Sequence, residues 1–176
     1  MLRILRQIFR TGIVTEPLPP EEEAKIELVG ARLEESVKRV FAGSLTIRQV
    51  DAGSCNACEL EIHALNNSIY NCERFGITFT ASPRFADMLL VTGPVSVNMA
   101  IALKRTYDAM PPPKLVVAVG DCGYNGGIFG KSYASLGGVA NVIPVDAYIH
   151  GCPPSPSVLL SGILEAVGAR RLSIGK

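Results

Sequence analysis

Tryptophan is absent from this chain, and aromatic residues of every kind amount to 6%. That leaves little material for stacking nucleic-acid bases. Charge of one sign is lacking too. The net value is +1, so no electrostatic field marks a polyanion partner, and nucleic acid is not expected. Long hydrophobic runs are missing: the longest apolar stretches, residues 88–91 and 115–119, are far too short to cross a bilayer. The first residues lack the apolar core and small-residue cleavage site of a secretory signal. Five cysteines, an odd number, do not make a disulfide framework without such a signal; an intracellular chain uses them for metal or catalysis. The expected compartment is the cytosol or the cytoplasmic face of a membrane.

What is present fits one domain of ordinary size. The chain has 176 residues, 48% of them hydrophobic, enough for a core. Residues 1–13 place Leu2, Leu5, Ile8 and Phe9 at helical spacing, with Arg3, Arg6 and Arg10 among them. A short basic amphipathic helix lies on a membrane surface, docks in a partner's groove, or packs on its own domain. The Pro-rich stretch 15–20 breaks the pattern, and Pro20 suits the first turn of a following helix. Residues 21–41 predict a long charged helix, acidic at its start and basic at its end, with i,i+4 pairs Glu21–Lys25, Glu34–Lys38 and Glu35–Arg39. Residues 1–43 therefore form a helical extension outside the main sheet, for membrane or partner docking, and residues 44–176 the α/β domain.

From Ser44 onward strands and helices alternate. Strands are predicted over 45–50, 77–80, 87–91, 115–119 and, more weakly, 142–145, where Pro144 argues for an edge. Helices are predicted over 58–70, 94–109 and 156–167. Such alternation implies a doubly wound parallel sheet with helices on both faces.

In open parallel sheets, sites form beyond the carboxyl ends of the strands. Four cysteines obey that rule. Cys55 and Cys58 follow the first strand as a CxxC at a helix start, where the helix dipole favours thiolate. Cys122 follows the 115–119 strand in a run of glycines that lets backbone N–H groups approach a sulfur. Cys152 follows the fifth strand, and its Cys-Pro step is like the ending of ferredoxin cluster motifs. Four thiolates serve zinc or an iron–sulfur cluster. One close pair followed by two distant single cysteines suits a four-iron cluster better than paired zinc knuckles. Cys72 stands apart as a small buried hydrophobe.

Around these cysteines the stretches SCNACELEI, SPRFADMLLVTGPV, VVAVGDCGYNGGIF and VIPVDAYIHGCPPSPSVLLSGIL make the chain recognisable. It resembles the small cluster-bearing subunit shared by energy-converting membrane-bound [NiFe] hydrogenases and respiratory complex I. The resemblance implies a flavodoxin-like fold and one [4Fe-4S] cluster held by Cys55, Cys58, Cys122 and Cys152. It also implies a peripheral position on the cytoplasmic face of the cell membrane, within a multisubunit complex. The partners implied are a large [NiFe]-hydrogenase-like catalytic subunit, a ferredoxin-like iron–sulfur subunit and integral membrane subunits. Complex I members carry two adjacent cysteines where this chain has Ala57-Cys58, so the CxxC arrangement points to the hydrogenase branch. A complex I-type quinone reductase subunit, a sulfur-reducing complex and a zinc-stabilised interaction module stay open as alternatives.

Among other polar residues, Glu61 occupies the place of an acidic residue of the family motif and is a candidate proton relay at the large-subunit interface. Glu59 is a weaker candidate. His150 either tunes the cluster or is a satisfied loop residue. Asp51 and Asp121 cap loops or meet a partner, as Arg48 and Arg84 do if they are more than solvated charges. Gly130-Lys131-Ser132 lacks the preceding glycine of a phosphate loop. No Ser–His–Asp arrangement is arguable from the sequence.

Overall fold

A computed structural model describes residues 2–12 and 20–174 of the chain. Most of the expected Pro-rich connection therefore lies outside the described residues, although Pro20 does open a helix. Helix α1 spans Leu2–Thr11 and α2 spans Pro20–Val40. The remainder follows as β1 (Leu45–Asp51), α3 (Ala57–Ala64), β2 (Ile77–Phe79), β3 (Met88–Thr92), α4 (Val97–Ala109), β4 (Leu115–Val119), α5 (Gly120–Asn125), β5 (Ala147–Ile149) and α6 (Pro156–Ile174). All strand pairs are parallel, in the order β2-β1-β3-β4-β5. That is the flavodoxin-like order, with its switch point between β1 and β3.

Period-two alternation divides the core between the two faces of the sheet. Met88, Leu90, Leu115, Val117 and Val119 point to one face, where they pack with α2, α3 and α6 side chains such as Leu33, Ile62 and Leu160. Leu89, Val91, Val116 and Ala118 point to the other and meet Leu103 of α4 with Val139 and Ile143. Every residue of β3 and β4 is buried, as continuous apolar runs in a doubly covered sheet require.

Helix α2 lies outside the sheet yet shares its core. Ile26, Leu33 and Val37 are buried. A Cβ on Gly30 would stand 2.1 Å from the Phe75 ring, so the helix sits directly on that side chain. The Glu34–Lys38 and Glu35–Arg39 pairs close on its exposed face, worth a few tenths of a kcal/mol each. Glu21–Lys25 is not an ion pair among the described residues. Arg74 instead ties the helix to the 72–75 turn through Glu27 at 2.6 Å.

Several boundaries differ from expectation, and the last helix, predicted over 156–167, runs on to Ile174. The helix predicted over 58–70 stops at Ala64, and Asn67 takes over: its Oδ1 accepts from the amides of Ile69 and Tyr70, a local alternative to helical bonding. The helix predicted from Pro94 begins at Val97, capped by Ser96 Oγ accepting from Met99 N. The fifth strand is 147–149, not 142–145. It is an edge strand as expected, but Pro144 keeps the earlier residues out of the ladder. Asp146 sets its start. Its amide donates to Val116 O and its Oδ2 accepts from Val116 N at 2.7 Å. Asp87 does the same with Thr46 ahead of β3.

Candidate metal centre

The register brings four strand ends into one row: Asp51 beside Thr92, Thr92 beside Val119, and Val119 beside Ile149. Each expected ligand leaves from this row. Cys55 and Cys58 lie just past β1, Cys122 in the short helix directly after β4, and Cys152 just past β5. Asp51 shapes the first loop as a cap: its Oδ1 accepts from Gly53 N and Ser54 N at 2.8 and 2.9 Å. The other two loops are tied to each other. Asp121 N donates to Gly151 O at 3.0 Å, and Gly151 N donates to Asp121 Oδ1 at 3.1 Å.

All four thiols are free; Cys58 and Cys122 are buried, Cys55 and Cys152 exposed. Burial first, then Glu59, then Cys122, Cys55 and Cys152 push the Cys58 thiol up to about 12. Cys122 is raised by burial, then by Cys152 and Cys55, with Asp121 and Glu59 adding to it. Cys58 thus feels the other three cysteines, and Cys122 feels Cys152 and Cys55. The thiolate expected at the start of α3 is overruled, because desolvation and negative neighbours outweigh the helix dipole there. Any metal must displace a proton from Cys58.

Two glycines make room for the sulfurs. At Gly120 (φ +78°) a Cβ would stand 2.8 Å from Cys58 Sγ, and at Gly127 (φ +54°) 2.7 Å from Cys122 Sγ. Both backbones lie in the left-handed region, which glycine tolerates. Thiol donors, mutual proximity and cleared space fit an iron–sulfur group. Among the described residues, no three His, Cys, Asp or Glu groups close on a point as a single metal ion needs.

The burial of Glu59 is not evident from the sequence. The residue is 4% exposed, and neither carboxylate oxygen has a hydrogen-bond partner. Glu61 is only half-buried. The available signal was helical spacing, which sets Glu59 one turn before Ile62, a fully buried side chain.

His150 is a loop residue with partners. Its Nδ1 lies 3.8 Å from Asp121 Oδ1, and its ring meets Tyr124 edge-on at 4.8 Å. Tyr124 packs in turn on Tyr148. Arg84 is exposed, whereas Arg48 buries an Nε with no hydrogen-bond partner. Cys72 stays apart, fully buried, with Sγ donating to Asn66 Oδ1; burial, then Glu73, pushes it up to about 11. Lys131 bridges Leu136 in antiparallel fashion instead of opening a helix, so no phosphate loop forms. Leu60, Ile128, Phe129 and Tyr133 surround these loops in sequence and are exposed.

A family model described as "NADH ubiquinone oxidoreductase, 20 Kd subunit" matches residues 55–166, a span containing all four cysteines. The chain belongs to this family. Its match to formate hydrogenlyase subunit 7 of Escherichia coli (strain K12) is 41% identical over 152 residues, covering 86% of this chain and 58% of that protein. Against an NADH-quinone oxidoreductase subunit of Bacteroides thetaiotaomicron it is 50% identical over 115 residues, 65% of this chain and 57% of that protein. The chain therefore spans less than two thirds of the length of either relative. A solved chain from the membrane-bound sulfane sulfur reductase, an archaeal respiratory membrane complex, superposes with a TM-score of 0.63 at 34% identity, covering 81% of this chain and 74% of that one. Among the described residues no helix is long and apolar enough to cross a membrane.

Proposed function

We propose that the chain is an electron-transfer subunit of a membrane-bound [NiFe] hydrogenase complex, holding one [4Fe-4S] cluster on Cys55, Cys58, Cys122 and Cys152. The observation that carries the reading is that all four cysteines leave from one row of strand ends, with Cys58 close enough to feel the other three and with Gly120 and Gly127 clearing space beside Cys58 and Cys122. When bound, such a cluster supplies reversible one-electron storage. The chain itself does no bond chemistry. The sheet seals the inner side, since Cys58 belongs to the same apolar core as Ile62 and Leu65. The rim carrying Cys55 and Cys152 faces outward, with Leu60, Ile128, Phe129 and Tyr133 as apolar surface for a large catalytic subunit. A ferredoxin-like subunit and integral membrane subunits complete the complex, with this chain peripheral on the cytoplasmic face. Glu61 is proposed as a proton relay at the large-subunit contact. Its replacement by Gln is expected to slow turnover with the cluster intact, and unchanged turnover sinks that role.

Ala57 supports the hydrogenase branch, since it keeps Cys55 and Cys58 apart as a CxxC. The NADH-quinone oxidoreductase relative, at 50% identity, supports a second reading as a quinone-reducing subunit. A large-subunit partner with two CxxC pairs able to hold nickel selects the first; a partner without them selects quinone or sulfur reduction.

The cluster itself is tested by anaerobic reconstitution with iron and sulfide. About four irons per chain and a reducible EPR signal are expected, lost on Ser substitution of any of the four cysteines and kept in Cys72→Ser. Stoichiometric zinc in an iron-free, folded chain overturns the reading in favour of an interaction module.

A further inference from the structure

Helix α1 buries none of its residues. At about 100° per residue, Leu2, Ile4, Leu5, Ile8 and Phe9 fall on one half of the helix, and Arg3, Arg6, Arg10, Gln7 and Thr11 on the other. The apolar half is open: Leu2 and Phe9 are 87% and 85% exposed. Charge on the helix has one sign only, because the sequence contains no Asp or Glu before Glu16. Ten residues make a rod of about 15 Å, half the thickness of a hydrocarbon core.

We propose that α1 lies in the plane of a bilayer, its apolar half at the acyl boundary and its three arginines on anionic lipid headgroups. A helix seated in a protein groove needs only a stripe of anchors at i, i+3 or i+4, and i+7, which Leu2, Leu5 and Phe9 alone would supply. Here the apolar residues cover nearly half the circumference, as contact with a fluid and featureless surface requires. The arginines flank that half at the Leu2 and Phe9 side, where long side chains run along apolar surface and lift their charge to the headgroups. A positive face with no acid among it complements a surface of uniform negative charge. The thiol centre is not involved, so α1 holds the lipid whatever the four cysteines bind.

The absence of tryptophan makes a clean test. Phe9→Trp in the full chain gives a single indole reporter, mixed with vesicles of phosphatidylglycerol and phosphatidylcholine, or of phosphatidylcholine alone. A blue shift and co-flotation are expected with the anionic vesicles and not the neutral ones, weakening as salt rises. Each Arg→Gln change at 3, 6 or 10 is expected to lower apparent affinity roughly five-fold, and Leu5→Glu to abolish binding. Because α1 buries nothing, these variants should keep the far-ultraviolet spectrum and urea midpoint of the parent, which separates lost binding from lost fold. Indifference to both vesicle types, or binding that survives the triple Arg→Gln change, overturns the proposal. So does a blue shift seen only in a lipid-free assembly with partner proteins, which places α1 in a protein groove instead.

Discussion

At Gly120 and Gly127 a methyl group would press on the sulfurs of Cys58 and Cys122, and both backbones hold positive φ. Alanine at either position is expected to cost about 1–3 kcal/mol. It should also reduce the iron and sulfide content of the reconstituted chain. Gly168→Ala is the control: it sits exposed in α6 with nothing near its added Cβ, and should gain up to about 1 kcal/mol with iron content unchanged. Glu59 supplies the largest neighbouring charge that raises the Cys58 thiol. Glu59→Gln should lower that pKa, and the chain without metal should then alkylate at Cys58 several-fold faster at mildly alkaline pH. Cys55, Cys58 and Cys122 were legible in the sequence at the ends of readable strands, whereas the strand before Cys152 was read a few residues too early. The protonation of Cys58 was not legible, since burial and the distant Cys122 and Cys152 act on it together with Glu59 and Cys55. Nor was the burial of Glu59, since one turn of helix shows which residues share a face but not how deeply that face is covered.

The central strands were the most legible elements, because continuous apolar runs leave few alternatives to a doubly covered sheet. The fifth strand was placed too early, since Val142, Ile143 and Val145 carry strand-like side chains while the deciding bonds come from Asp146 to a residue of β4. Asp146→Ala should therefore loosen the β4–β5 edge at a cost of about 1 kcal/mol, read as faster amide exchange at Val116. Helix α5 was hidden in a glycine-rich stretch that reads as turn. Helix α2 was legible in itself but not its attachment, because Leu33 and Val37 look like one stripe among many charges. Both are fully buried. Leu33→Ala is expected to cost about 2–5 kcal/mol in urea unfolding, whereas a helix docked loosely on the surface would lose little.

Over the whole molecule the raised thiols fix the direction of pH dependence. Cys72 is held up to about 11 and Cys58 up to about 12, against an ordinary 9.0. Above pH 9 the unfolded chain sheds these protons and the folded chain keeps them. Their stabilisation is complete below pH 9 and is lost as pH climbs through 11 and 12. The urea midpoint of the metal-free chain should fall across that window, by on the order of 2 kcal/mol from Cys72 alone, and Cys72→Ala should flatten the fall. The reciprocal hydrogen bonds between Asp121 and Gly151 have a mechanical consequence at the same scale. They weld the α5 loop to the β5 loop, so Cys122 and Cys152 move as one jaw and Cys55 and Cys58, on their own Asp51-capped loop, as the other. Asp121→Ala should split the first jaw alone: the amides of Asp121 and Gly151 should exchange faster together, while those of Gly53 and Ser54 keep their protection. A centre built on these loops is expected to open between its two pairs of cysteines before it opens within either pair.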